Sequence, residues 1–72
     1  MTLDLLQVGQ KAQLKSFIDS PLTLNFLEMG LTPGKNIEVI QKAPFNGPIA
    51  LLMDNQTIAI RVHEAKFLQV SL

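Results

Sequence analysis

Apolar and polar residues alternate along much of this chain. From Lys11 to Ile18, Ala12, Leu14, Ser16 and Ile18 share one face, and Lys11, Gln13, Lys15 and Phe17 share the other. Period two over this length predicts a half-buried strand. Leu5, Leu6 and Val8 precede it, and Gly9-Gln10 forms a turn into it. Alternation resumes in Asn36 to Lys42, where Ile37 and Val39 oppose Glu38, Ile40 and Lys42. In Ile49 to Met53, Ile49, Leu51 and Met53 oppose Ala50 and Leu52; in Thr57 to Val62, Ile58, Ile60 and Val62 point inward. His63-Glu64-Ala65 reads as a single helical turn, and Lys66 to Leu72 as a closing strand with Leu68 and Val70 inward.

One segment changes period. Asp19-Ser20-Pro21 marks a helix start, with Ser20 as a cap and proline at a position whose N–H has no partner in any case. The helix is expected over Pro21 to Met29, with Leu22, Phe26 and Met29 on one face. Gly30 stops it by taking the left-handed conformation, and Leu31 folds back toward Phe26. Thr32-Pro33-Gly34-Lys35 suits a type II turn, and Asp54-Asn55 a two-residue hairpin. Short strands, frequent turns and one small helix predict a mainly β fold. It is a small barrel of about five strands, with the helix inserted after the first long strand.

Composition narrows the function. Seventy-two residues make one domain spanning 1–72, near the lower limit for a self-supporting core, with a net stability of about 3–5 kcal/mol. No cysteine is present, so neither a disulfide nor a thiolate metal site staples the fold. Lys11, Lys15, Lys35, Lys42, Arg61 and Lys66 are scattered and balanced to zero net charge. Nucleic-acid binding, which needs a concentrated basic stripe, is not expected. Asp4 stands where a signal peptide would carry positive charge, and the longest apolar run, Ile49 to Met53, is far too short to span a membrane. A cytoplasmic protein without direct membrane insertion is expected.

Candidate chemistry is sparse. His63 is the sole histidine, and a metal site needs three or four converging ligands, so no cofactor is expected. Ser16, Ser20 and Ser71 lack any motif for nucleophilic catalysis, and no glycine-rich phosphate cradle precedes a helix. A binding module, not an enzyme, is the reading.

The turns carry a resemblance. Phe26-Leu27-Glu28-Met29-Gly30-Leu31-Thr32-Pro33-Gly34, Ala43-Pro44-Phe45-Asn46-Gly47-Pro48 and Ala59-Ile60-Arg61-Val62-His63-Glu64-Ala65 stand in order along the chain. Together they resemble the blocks of the FeoA family, whose patterns are L-G-L-x-P-G, A-P-x-G-x-P and A-L-R-x-x-E-A. Two departures remove charge: Asn46-Gly47-Pro48 stands where the family usually has glycine-aspartate-proline, and Leu24-Asn25 where it often has arginine. The resemblance implies an SH3-like barrel that acts on the cytoplasmic side of FeoB, a membrane GTPase permease for ferrous iron. A related barrel is fused to iron-dependent repressors of the diphtheria-toxin-repressor type.

Leu24, Ile40, Phe45, Asn46, Leu52 and Arg61 are the candidate partner contacts. For Ile40 and Leu52, an exposed apolar patch with Phe45 at a loop tip competes with burial under the helix or a terminal segment. For Arg61, a partner contact competes with a local ion pair to Glu64. A self-associating barrel, forming a weak homo-oligomer or acting with an iron-dependent regulator, and a weak transition-metal binder are the competing functions.

Overall fold

A computed structural model describes residues 1–18 and 20–72; the expected helix-start role of Asp19 lies outside the described residues. The strands are β1 (Lys11–Phe17), β2 (Asn36–Lys42), β3 (Ile49–Met53), β4 (Gln56–Ile60) and β5 (Leu68–Ser71). Helix α1 (Thr23–Glu28) lies between β1 and β2, and the one-turn helix α2 (Val62–Ala65) between β4 and β5. All pairings are antiparallel, in the order β4-β3-β2-β1-β5. Buried residues from every strand join one cluster: Ala12 and Leu14, Ile37 and Val39, Ile49, Leu51 and Met53, Ile60, then Leu68 and Val70. The sheet therefore curls around a single core, as the SH3-like expectation required.

Two bulges drive the curl and correct the simple alternation. In β1 the register runs Leu14↔Val70, then Ser16↔Gln69, leaving Lys15 as the extra residue. An unpaired residue bends the strand and shifts its phase by one. Phe17, placed by alternation on the face of the lysines, instead packs on the core opposite Leu68. Ile18, placed with Leu14, is exposed. In β2 the register runs Val39↔Leu51, then Gln41↔Ala50, with Ile40 at the bulge. Lys42, expected beside Ile40 on the outer face, thereby pairs with buried Ile49. Its Nζ donates to the carbonyls of Asp4 and Leu6, each at 3.0 Å.

Those two carbonyls belong to the N-terminal segment, whose core contribution alternation did not reveal. Leu3–Leu5 form a single 3-10 turn, burying Leu3 and Leu6 while Leu5 and Val8 face solvent. The lysine satisfies carbonyls that the turn leaves without partners.

Helix α1 is shorter than expected, beginning at Thr23 and not at Pro21. Ser20 Oγ accepts from the N–H of Leu22 at 3.0 Å, so it serves the turn leading into the helix. Phe26 is fully buried and stacks on Phe17, with centroids 5.7 Å apart and planes at 24°. Leu22 and Met29 flank it against the core, so this stripe fastens the helix to the barrel. The C-terminus closes as a Schellman motif: Leu31 N–H donates to Phe26 C=O and Gly30 N–H to Leu27 C=O, both at 3.0 Å. Gly30 takes φ +86° there, the left-handed corner that glycine enters without a Cβ penalty.

Strand β4 ends at Ile60, two residues before the expected Val62, which begins α2. Thr32–Lys35 forms the expected turn, closed by Lys35 N–H on Thr32 C=O at 3.2 Å. Asp54 and Asn55 make the two-residue hairpin with φ +52° and +63°.

Candidate functional site

The six candidate contacts do not form one patch. Ile40 and Leu52 lie on the neighbouring strands β2 and β3 and are both partly exposed. Leu52 sits opposite Glu38, and Ile40 lies at the bulge facing Ala50. They are 39% and 36% exposed. Helix α1 is fastened elsewhere: its apolar stripe is spent on the core, and a Cβ built on Gly30 just beyond it would stand 3.6 Å from Cε of the buried Met53. The outer face of β2 and β3 thus presents two partly exposed apolar side chains beside Glu38.

Phe45 and Asn46 form the tip of the loop joining those two strands. Pro44 C=O accepts from Gly47 N–H at 3.1 Å, and Ala43 N–H donates to Pro48 C=O at 3.0 Å. Both central residues are left-handed, Phe45 at φ +60° and Asn46 at φ +59°. Asparagine tolerates that conformation, whereas a bulky side chain there is a steric outlier. Gly47 makes the close approach that shapes the loop: a Cβ on it would stand 2.7 Å from Ala43 Cβ and 3.1 Å from Pro44 O. Phe45 is completely exposed at 100%. The loop therefore holds a large apolar ring in a strained backbone with nothing against it.

Leu24 stands apart on α1, 64% exposed on the side of the helix away from Phe26. Arg61 follows β4 and is exposed. The expected ion pair with Glu64 does not form: the Glu64 carboxylate accepts from the backbone N–H of Arg61 at 2.9 Å. Glu64 thus caps α2 by reaching back to the residue before it, one half of a capping box. Arginine has no acceptor with which to supply the other half. Among the described residues the guanidinium has no carboxylate partner, and the one salt bridge joins Lys35 and Asp54.

Chemistry beyond contact is thin. Among the described residues no three His, Cys, Asp or Glu side chains converge closely enough to hold a metal ion. His63 is exposed. No helix of the described residues is long and apolar enough to cross a membrane. One feature that sequence reasoning missed is a cleft of about 500 Å³ between the N-terminal turn, the Phe45 loop and α2. Asp4, Lys42, Asn46, His63 and Lys66 line it. These residues are distant in sequence and share no motif, so no local signal points to it.

No curated protein sequence matches the chain. Among solved structures, iron(II) transport protein A from Clostridium thermocellum is similar at TM-score 0.91 and 33% identity, over 100% of this chain and 45% of that one. A FeoA-like protein from Clostridium acetobutylicum is similar at TM-score 0.93 and 26% identity, covering 100% and 85%. FeoA from Stenotrophomonas maltophilia, solved with zinc, gives TM-score 0.84 and 25% identity over 99% and 89%. That protein is described as an SH3 domain protein and suggested to be a ferrous-iron transport activating factor. The FeoA domain model matches residues 1–72. The chain belongs to the FeoA domain family.

Proposed function

We propose that this domain is a non-enzymatic accessory protein of ferrous-iron uptake, acting by protein–protein contact on the cytoplasmic side of a FeoB-type GTPase permease. The observation that carries the reading is Phe45, fully exposed at a left-handed loop tip. Backbone strain of this kind persists where the surrounding structure over-determines it, and it gathers at binding sites. A rigid aromatic anchor presented on a tight turn loses little freedom when it enters a partner's pocket.

Two further features support the reading. The open apolar face around Ile40 and Leu52 offers contact area on a small domain. The described residues bring together no metal-ligand cluster that would favour a carrier. Leu24 and Arg61 would extend the contact along the helix and the end of β4.

The test is retention of the purified chain by immobilised permease, either its cytoplasmic region or the detergent-solubilised whole. Phe45→Ser and Leu52→Asp should each reduce it. If neither form of the permease retains the chain, and deleting its gene leaves iron uptake unchanged, the proposal fails.

A further inference from the structure

The two edges of the sheet are treated differently. At β5 the N-terminal residues cover the edge: Thr2 bridges Gln69, and Val70 N–H donates to Met1 C=O at 2.8 Å. At β4 no described residue pairs along the outer side, since its pairing is with β3 alone. The register Met53↔Gln56, Leu52↔Thr57, Leu51↔Ile58, Ala50↔Ala59 follows a two-residue turn. In such a hairpin the closing pair exchanges both hydrogen bonds and the pattern alternates from there. Gln56, Ile58 and Ile60 therefore turn their N–H and C=O toward β3. Thr57 and Ala59 turn theirs outward.

The open edge has definite limits. At one end the Asp54-Asn55 turn closes it. At the other, Arg61 has its N–H on the Glu64 carboxylate and its C=O on the N–H groups of Glu64 and Ala65. Between them Thr57 and Ala59 are exposed, and Gln56 to Ile60 contains no charge and no proline. Lysine, proline and bulges are what natural edge strands use to refuse a neighbour, and β4 has none of them.

We infer that the β4 edge is a self-association site, taking the β4 of a second copy of this chain in antiparallel fashion about a twofold axis through Ile58. Two observations select this occupant. The outward groups sit two residues apart, so a twofold at Ile58 sets Thr57 opposite Ala59 of the second copy and Ala59 opposite its Thr57. Each pair exchanges two main-chain hydrogen bonds, and the surface is complementary to itself. The same register brings Arg61 opposite Asn55 of the second copy, one residue from Asp54. Among the described residues Arg61 has no carboxylate partner, and Asp54 is a half-exposed carboxylate holding only the Lys35 ammonium. The charges complement one another twice, once at each end of the ladder.

Pairing would also join the two outer faces, because Thr57 and Ala59 flank Leu52 and Ala50 on that side. The ladder is short and the contact small, so the dimer is weak and forms at high concentration. This inference shares Arg61 and the Leu52 face with the permease reading but does not need it, since that reading rests on the Phe45 loop.

Sedimentation velocity and amide chemical shifts over a concentration series test it. Self-association should appear together with shifts at the Thr57 and Ala59 amides. Ala59→Pro removes the outward donor while sparing the bonds to β3, and edge proline is compatible with a folded strand. It deletes two of the four intermolecular ladder bonds and should weaken the dimer about thirtyfold. Arg61→Glu should weaken it as well, and raised salt should oppose association of the parent chain. A monomer at all concentrations would overturn the inference, as would an Ala59→Pro variant that is folded by its amide spectrum yet associates as well as the parent. Shifts at Thr57 and Ala59 that appear only on adding the permease's cytoplasmic region would assign the edge to that partner and overturn it equally.

Discussion

Replacing Phe45 by asparagine should make the domain more stable and a poorer binder. The perturbation is local: Phe45 occupies the first corner of the Pro44–Gly47 turn at φ +60° and is 100% exposed. An L-residue in the left-handed conformation costs about 1–2 kcal/mol. Asparagine avoids much of that cost, because its short polar side chain bonds locally to the backbone, and it is favoured at this corner of a hairpin turn. No packing is lost, since the ring touches nothing in the fold. The expected gain is about 0.5–1 kcal/mol. For a domain of this size it corresponds to a rise in Tm of about 2–8 °C. Thermal unfolding followed by circular dichroism reads the shift, and urea unfolding gives the free energy independently. An unchanged or lower Tm would refute the reasoning, showing either that the ring packs on the fold or that the corner is not left-handed. Retention by the permease should fall in the same variant; undiminished retention would remove Phe45 from the contact while leaving the stability argument intact.

Two further substitutions probe the frame that carries this loop. Phe26→Ala removes the buried half of the stack on Phe17 and should cost about 3–5 kcal/mol. That is comparable to the whole stability of so small a domain, so its amide spectrum should collapse to the narrow dispersion of an unfolded chain. A folded variant with a urea midpoint near the parent's would contradict the buried stack. Gly47→Ala would place a Cβ 2.7 Å from that of Ala43, a clash expected to cost about 1–3 kcal/mol. A urea midpoint equal to the parent's would mean that the loop is not closed as described.

The family and the order of elements were readable because their signals are local. Gly30 and Leu31 end a helix through bonds to Phe26 and Leu27, a few residues back. Asp54 and Asn55 set a hairpin whose partners flank it. Alternation gave β2 and β3 to the residue, because one buried face requires period two. It failed at Phe17 and Lys42 for a common reason. A bulge is one residue left unpaired across from a strand distant in sequence, and Lys15 and Ile40 carry no mark of it.

The candidate contacts divide along the same line. Phe45 was visible as an apolar residue among loop-formers; its strained left-handed backbone was not. Arg61 and Glu64 were correctly placed together, yet the carboxylate chose the backbone N–H, because capping α2 needs an acceptor that arginine lacks. By itself, then, the sequence determined where the main turns fall, which residues of β2 up to Val39 and of β3 face the core, and which family the chain resembles. Tertiary structure alone decided where phase shifts, that Met1 and Thr2 shield β5, and that β4 is left open. Those outcomes depend on which strands become neighbours, and a hydrogen bond between residues far apart along the chain leaves no trace in either one's local pattern.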